Sequence, residues 1–271
     1  MVDSILWPKP FDHLFRSEDV PMPRNCICGG AGYYRMNAPP GHPLFGKGIP
    51  CICRANANEN RRATELRGWS GISRSQLFDL TFERFDPTLS VPPPHLDVKK
   101  VRAEMGRIKQ VCQQYAAKPQ GWLVLVGAVG SGKTHLACAI VNAVLAQGKG
   151  AHFNSVAGML DLLRSTYKIG AFDTWFQRLQ TVTVLALDDL GAERATDWAT
   201  EKLFELVDHR YVNRLPLVVT TNLALTDEGI ALRLRSRLQE GSEVRQGWSR
   251  VLPLPAGDIR PRREWARDNN T

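Results

Sequence analysis

A glycine-rich segment with one lysine and one threonine, GAVGSGKT at residues 127–134, has the composition and spacing of a phosphate-binding loop. It satisfies the pattern G-x-x-x-x-G-K-S/T and lies between an apolar strand-like run and a helical run. Glycines let backbone N–H groups turn inward around phosphate oxygens, and the start of the next helix adds positive potential. We expect Lys133 to reach the β- and γ-phosphates of a nucleotide and Thr134 to ligate Mg²⁺. The predicted nucleotide contacts in this loop are Gly127, Gly130, Ser131, Gly132, Lys133 and Thr134.

Two consecutive carboxylates, Asp188 and Asp189, follow the apolar run VLAL at 184–187. A buried strand that ends in two acids places both at the carboxyl edge of a parallel sheet, where open α/β folds bind their ligands. We expect Asp188 to hold the Mg²⁺ shell and Asp189 to polarise the attacking water as a general base.

Another apolar run, LVVTT at 217–221, ends in Asn222. Asn at a strand end is by itself usually a turn former. With the phosphate loop and the acid pair in place, we expect Asn222 to orient the water or to contact the γ-phosphate from the neighbouring strand.

Four cysteines near the N-terminus form two Cys-x-Cys pairs separated by 22 residues, Cys26 with Cys28 and Cys51 with Cys53. Four thiolates in a reducing compartment suit tetrahedral Zn²⁺. A short polar module would depend on the metal for its folding energy, because it cannot bury enough apolar area alone. Two alternatives stay open, namely His42 as a substitute ligand and four unrelated buried thiols.

The composition of the 271-residue chain is that of a globular protein. A hydrophobic fraction of 43% and a charged fraction of 23% exclude wholesale disorder. A net charge of +8 is compatible with a polyanionic partner. No apolar run approaches the roughly 20 residues that cross a bilayer, and the N-terminus lacks a signal-peptide pattern. We therefore expect a cytoplasmic protein with no membrane partner and with Cys112 and Cys138 as core thiols.

Helical and strand-like runs alternate from about residue 98, which predicts a parallel sheet covered by helices on both faces. The expected strands are 122–126, 151–156, 182–187, 217–221 and 251–254, and the expected helices are 98–117, 135–147, 157–167, 172–179 and 196–213. Residues 1 to about 60 show no sustained periodicity, and 61–75 look like a basic helix or connector. We expect a zinc-binding module with its connector at 1–76 and a nucleotide domain at 77–271.

These motifs, in this order, resemble the AAA+ ATPases, and more narrowly the replicative helicase loaders of the DnaC/DnaI type with their relative IstB. The resemblance covers roughly residues 77–265 and is carried by LTFERFD, GAVGSGKTHLACAI, VLALDDLGAE, TDWATEKLFELVDHRY and LPLVVTTN. It implies an α/β fold, a P-loop three-layer αβα sandwich with a parallel sheet and a truncated lid. The small cysteine-rich module would precede this sandwich.

The resemblance also implies roles for two arginines. Arg237, in the sequence S-R-L, is similar to the arginine finger that one subunit donates to ATP on its neighbour, a role that suits a permanently charged, bidentate guanidinium. The alternative for Arg237 is a solvated basic helix face. Arg260, in GDIR, is similar to the sensor motif G-x-S-Y-R, although the tyrosine is missing and the spacing is shifted by one.

Arginine also dominates the C-terminal part of the chain. The last 41 residues hold nine arginines and no lysine against five acids, and Trp248 and Trp265 lie among them. Such a composition suits phosphate contact and base stacking on single-stranded DNA. Lys168 and Arg178, which flank the helix after the second strand, are further candidates, because the family places DNA contacts in such an inserted helical region. A solvated basic face is the alternative for each of these residues.

The leading hypothesis is an ATP-dependent loader of a hexameric DnaB-type replicative helicase onto single-stranded DNA. It would be an Mg²⁺-dependent ATPase that self-associates through the ATP site and grips the helicase through the zinc module. The first alternative is an IstB-like ATPase that assists a transposase on duplex DNA, against which the cysteine module argues, since IstB-type proteins generally lack one. A small-molecule kinase, the second alternative, would need an acceptor pocket and a closing lid. The acid pair, Asn222 and Arg237 suit water-mediated hydrolysis instead.

Overall fold

The computed structural model divides the chain into two compact units, Met1–Glu65 and Leu66–Thr271. It describes residues 28, 33–35, 39–43, 45–51, 63–192, 196–225, 230–239 and 249–258. In the first unit, the strands β1 (Tyr33–Arg35) and β2 (Gly48–Pro50) pair in antiparallel fashion. The predicted division of function between residues 76 and 77 stays a prediction.

Helices and strands alternate from residue 98 onward, as the periodicity predicts. The helices are α1 (residues 63–69), α2 (Arg74–Asp79), α3 (Val98–Ala117), α4 (Lys133–Ala146), α5 (Val156–Tyr167), α6 (Phe172–Thr181), α7 (Asp197–Val212) and α8 (Leu232–Gln239). The strands are β3 (Trp122–Gly127), β4 (Ala151–Ser155), β5 (Val184–Leu190), β6 (Leu217–Thr221) and β7 (Ser249–Leu254). None of the helices in the described part of the chain is long and apolar enough to cross a membrane.

The five strands β3 to β7 form one parallel sheet in the order β4-β5-β6-β3-β7. Successive strand residues point to opposite faces, and both faces are buried. Within β3, Leu123 and Leu125 pack in one core with α3 and α4. Trp122 and Val124 pack in a second core with α5, α6 and α7. The expected three-layer αβα sandwich with a parallel sheet is confirmed.

Two cysteines expected in the core are completely buried, Cys112 on α3 and Cys138 on α4. Burial raises the pKa of the Cys112 thiol to about 12 and raises that of Cys138 as well. Both thiols are therefore protonated at neutral pH and fill space as small apolar side chains.

The segment LTFERFD at 80–86 is tied to α3 and α4 by side chains that bind its carbonyls. His135 Nε2 lies 2.7 Å from the Thr81 carbonyl, and Lys109 Nζ donates to the Phe85 carbonyl at 2.8 Å. Phe82 and Phe85 are buried in the same core. These contacts hold the segment beside the helix that follows the phosphate loop.

A fully buried arginine on α7, Arg210, connects the end of α6 with the loops that precede β5 and β6. Its guanidinium donates hydrogen bonds to five backbone carbonyls, those of Leu179, Gln180, Val182, Thr183 and Pro216. Burial lowers the pKa of Arg210 to about 10, so the side chain stays charged at neutral pH. This arginine fixes the entry to β5 and the entry to β6, the two strands that carry the acid pair and Asn222.

Candidate active site

The phosphate loop connects β3 to α4, as its motif predicts. Gly130 and Gly132 have φ angles of +76° and +100°, a left-handed conformation that glycine adopts without strain. A side chain at Gly130 would also collide with the carboxylate of Asp258, which follows β7. At Gly127, a Cβ would lie 2.9 Å from the carbonyl oxygen of Leu254, its neighbour on β7. Backbone conformation and close packing therefore both require glycine here.

No side chain caps the start of α4, the helix that follows the phosphate loop. The N-cap residues of α3, α5 and α7, which are Asp97, Ser155 and Thr196, accept hydrogen bonds from the first-turn amides of those helices. The N-cap of α4 is Gly132, and no side chain caps this helix. Its first N–H groups therefore have no side-chain acceptor, which suits a phosphate group.

Lys133 is 5% exposed, and its ammonium donates to the Gly127 and Ala128 carbonyls at 2.9 and 2.8 Å. The buried hydroxyl of Ser131, in the same loop, has no hydrogen-bond partner. A buried cation and an unpartnered buried donor fit an anionic group such as a polyphosphate.

Asp188 lies on β5 opposite Thr134, the first-turn threonine of α4. Its two carboxylate oxygens are 3.1 and 3.0 Å from Thr134 Oγ1, and Oδ1 is 2.6 Å from Thr220 Oγ1 on β6. Burial raises the pKa of Asp188, while the hydrogen bonds from Thr220 and Thr134 act in the opposite direction. A hydroxyl and a carboxylate this close are ligands of the type that Mg²⁺ takes, so the two residues fit the ion.

Asp189 and Asn222 meet across β5 and β6. Asn222 Nδ2 donates to Asp189 Oδ1 at 2.7 Å, and the Asp189 backbone N–H donates to Thr220 Oγ1 at 2.9 Å. Asp189 has a φ angle of 59°, which is uncommon for a residue with a Cβ. Such strained residues cluster at functional sites, and this one lies where a general base is expected.

Arg237 lies on α8, where it contacts α7. Its Nε and Nη2 atoms are both 3.1 Å from Asp208 Oδ1, and its guanidinium carbon is 4.2 Å from the centre of the Tyr211 ring. Its assignment as an arginine finger stays a prediction. Arg260 lies outside the described residues, so its sensor role stays a prediction as well.

The predicted zinc ligands are described only in part. Cys28 is half-buried and Cys51 is buried, whereas Cys26 and Cys53 lie outside the described residues. His42 is exposed, and its backbone N–H donates to the Pro39 carbonyl at 3.1 Å. Among the described residues, no group of three or more His, Cys, Asp and Glu side chains could hold a metal ion.

The motifs miss two residues that the structure adds to the site. Thr220 bonds to both acids, and Asp258 packs on the phosphate loop. A polar residue in the apolar run LVVTT was the available signal for Thr220, since a buried hydroxyl needs a partner. For Asp258 the sequence gives no comparable signal, because only the pairing of β7 with β3 brings it to Gly130.

The parallel sheet, its helices and the phosphate loop form a P-loop fold that matches the AAA+ fold. Residues 102–233 match the model of the family of IstB-like ATP-binding proteins.

Three curated relatives fit this assignment. The protein YqaM of Bacillus subtilis is 32% identical in an alignment of 159 residues that covers 54% of this chain and 50% of YqaM. An ATP-binding protein in an insertion sequence of Mycobacterium tuberculosis is 36% identical over 38% of this chain and 41% of its own length. The replicative helicase loader DnaC of Escherichia coli is 27% identical over 45% of this chain and 51% of its own length. The chain thus spans about half the length of these relatives, or less.

A solved structure of the DnaC helicase loader superimposes with a TM-score of 0.51 at 21% identity. The match covers 65% of this chain and 97% of that one. At this identity the likeness concerns the fold.

Proposed function

We propose that this protein binds and hydrolyses ATP with Mg²⁺ and uses that cycle to load a hexameric replicative helicase onto single-stranded DNA. The observation that carries the proposal is the convergence of Lys133, Asp188 and Asn222 at the carboxyl ends of β3, β5 and β6. These three strands are adjacent in the sheet. The match to the family of IstB-like ATP-binding proteins and the similarity to the loader DnaC support the choice of partner.

At the ATP site, each residue has a distinct task. The Lys133 ammonium donates to the Gly127 and Ala128 carbonyls and, when ATP binds, would donate to phosphate oxygens instead. Carbonyl and phosphate oxygens are both hydrogen-bond acceptors, so the ammonium keeps its bonds in the exchange. Thr134 and Asp188 would hold Mg²⁺, which when bound neutralises charge on the phosphate oxygens.

Water activation falls to Asp189. Asn222 binds Oδ1 of this carboxylate, and we assign the other oxygen, Oδ2, as the acceptor of the water proton. The hydrogen bond from Asn222, which follows the neighbouring strand β6, would hold the Asp189 carboxylate in orientation.

Self-association through the ATP site is the second part of the proposal. Arg237 would leave Asp208 and donate to the ATP of a neighbouring subunit, because a guanidinium binds phosphate oxygens as well as a carboxylate. We place single-stranded DNA against basic residues of the assembled ring or spiral. Lys168 and Arg178 are exposed candidates on the described chain.

The N-terminal unit would grip the helicase. We infer that Cys26, Cys28, Cys51 and Cys53 bind Zn²⁺, because paired thiolates flank the β1–β2 hairpin in a unit with little regular structure among its described residues. Metal analysis of the purified full chain should find one zinc per chain, which Cys51→Ser should reduce. Zinc absent from both proteins would favour four unrelated thiols.

The nucleotide site is tested by the Lys133→Ala variant. We expect it to lose binding of a fluorescent ATP analogue, whereas Lys149→Ala, which removes an exposed lysine whose ammonium donates to the Gln147 side chain, should bind normally. An unaltered affinity of Lys133→Ala for the ATP analogue would contradict the assignment of residues 127–134 as a phosphate-binding loop.

An IstB-like helper of a transposase on duplex DNA is the second candidate, favoured by the family match and the insertion-sequence relative. Sizing chromatography of the full chain with the replicative helicase of the same organism, ATP and Mg²⁺ separates the two. A complex that Lys133→Ala fails to form supports the loader. ATP-dependent filaments on duplex DNA in electron micrographs, without a helicase complex, support the transposition helper.

A further inference from the structure

A single buried hydroxyl, that of Thr220, bonds to both acids of the candidate active site. It lies 2.6 Å from Asp188 Oδ1 and 2.9 Å from the backbone nitrogen of Asp189, and the residue is 1% exposed. We propose that Thr220 is a positioning residue that sets the spacing of the metal-side acid and the water-side acid. The inference rests on the proposed ATP hydrolysis.

The bonding capacity of the hydroxyl fixes the direction of both contacts. A hydroxyl has one hydrogen to donate and two lone pairs that accept. The Asp189 backbone N–H can only donate, so Thr220 Oγ1 accepts there and gives its own hydrogen to the Asp188 carboxylate. Both contacts are therefore satisfied at once, and neither competes with the other.

Strand pairing explains why a side chain is needed at this point. Leu187 pairs with Val219, and the next pair joins Leu190 to Thr221. Two residues on β5, the acids, therefore oppose the single residue Thr220 on β6, which is the arrangement of a β-bulge. The regular ladder is interrupted there, and the Thr220 side chain supplies the acceptor for the Asp189 amide.

The bulge also explains why the carboxylates of Asp188 and Asp189 face different parts of the site. Asp188 points to the phosphate loop, where it meets Thr134, and Asp189 takes a left-handed conformation that brings its carboxylate to Asn222. A left-handed residue with a Cβ is held only where its surroundings fix it. Thr220 is the residue that contacts the carboxylate of the first acid and the backbone of the second.

The test compares three variants of the full-length protein. Thr220→Val keeps the shape and removes both hydrogen bonds, and Thr220→Ser keeps both bonds and removes a methyl group. Thr221→Val is the matched control, because Thr221 is equally buried but bonds to the Leu190 carbonyl and the Leu223 amide instead of to the acids.

Two measurements are made on each variant with nucleotide present. One is steady-state ATP hydrolysis, and the other is Mn²⁺ affinity in the presence of the non-hydrolysable analogue AMPPNP, followed by electron paramagnetic resonance. For Thr220→Val we expect kcat and Mn²⁺ affinity each to fall at least about tenfold, because a hydrogen bond to a charged group is lost. KM for ATP should change less than about threefold, since the phosphate loop is untouched. Thr220→Ser and Thr221→Val should stay near the wild type.

Each contrary result is distinct. Wild-type Mn²⁺ affinity and kcat in Thr220→Val would overturn the inference and leave the proposed ATP hydrolysis intact. An equal loss of kcat and Mn²⁺ affinity in Thr221→Val would overturn it as well, because the loss would then be a general effect of changing β6. A wild-type protein that binds no nucleotide would instead remove the proposed function. Should Thr220→Val not fold, Thr220→Ala removes the same two bonds without placing a methyl beside Asp188. Wild-type Mn²⁺ affinity in that variant would equally overturn the inference.

Discussion

Arg237 is held by Asp208 of its own chain, with Nε and Nη2 both 3.1 Å from one carboxylate oxygen. Both side chains are about one-third exposed, and the guanidinium also covers the Tyr211 ring. A partly exposed ion pair of this kind contributes at most about 1 kcal/mol. The ion pair with Asp208 therefore opposes an exchange for a phosphate only weakly, as the arginine-finger assignment requires.

The finger assignment predicts opposite effects at the two ends of this pair. Arg237→Ala should bind ATP normally but lose hydrolysis stimulated by DNA or the helicase. Asp208→Asn should retain stimulation and reach it at up to about fivefold lower protein concentration, because the guanidinium is released more easily. Stimulated hydrolysis is measured as a function of protein concentration, with Arg107→Ala, which removes an exposed arginine on α3, as control. Normal stimulation of hydrolysis in Arg237→Ala would mean that another residue is the arginine finger.

The Asp189 carboxylate can be tested without disturbing its backbone. Asparagine tolerates a positive φ as well as aspartate does, so Asp189→Asn should fold and bind ATP like the wild type. Hydrolysis should fall about 100-fold or more, since the amide cannot accept the water proton. Asp161→Asn, which removes an exposed acid on α5, is the control for charge. Hydrolysis within a few-fold of the wild type in Asp189→Asn would mean that another group is the base.

Glycine should be required at residue 130 and not at residue 106. Gly130→Ala places a Cβ on a residue with φ of +76° and against Asp258, so we expect nucleotide binding to weaken or vanish. Strain at a left-handed residue costs about 1–2 kcal/mol before any collision is counted. In Gly106→Ala, on α3, the new Cβ meets nothing within 4 Å, so the helix should gain up to about 1 kcal/mol. Thermal unfolding and nucleotide titration of both variants test this contrast. Equal nucleotide affinities of Gly130→Ala and Gly106→Ala would contradict it.

The sequence predicts the elements of the ATP-binding unit well because each is an apolar run of one clear period. Helix α3 and strand β6 have the predicted bounds, and α4, α5 and α7 begin and end within two residues of them. Strand β5 is the informative difference. The apolar pattern places its end at Leu187, yet the strand continues through both acids to Leu190, because the bulge restores pairing with Thr221.

Contacts between elements distant in sequence lie beyond this kind of reasoning. The motifs identify Asp188, Asp189 and Asn222, but the Thr220 hydroxyl that joins the acids follows only from the register of β5 and β6. Likewise, the resemblance that implies an arginine-finger role for Arg237 says nothing of Asp208, which lies one helix earlier. A pattern records residue types along one strand or helix, whereas a site depends on which residues the packing brings together.

Arg210 should be among the residues on which stability depends most. It is fully buried and donates to five carbonyls at the end of α6 and in the loops before β5 and β6, and its replacement removes this donor from all five. We expect Arg210→Met to lower the free energy of unfolding by at least about 3 kcal/mol. Arg210→Lys should lose almost as much, because one ammonium cannot reach carbonyls that a planar guanidinium spans.

Urea unfolding followed by circular dichroism measures the Arg210 effect, with Arg107→Ala as the control. Arg107 is exposed and pairs with Glu104 one turn away on α3, so its removal should cost less than about 0.5 kcal/mol. If Arg210→Lys were as stable as the wild type, the charge would be what matters at this position. A large loss in both variants would show instead that the fork of donors holds the entries to β5 and β6, and with them the acids and Asn222, in place.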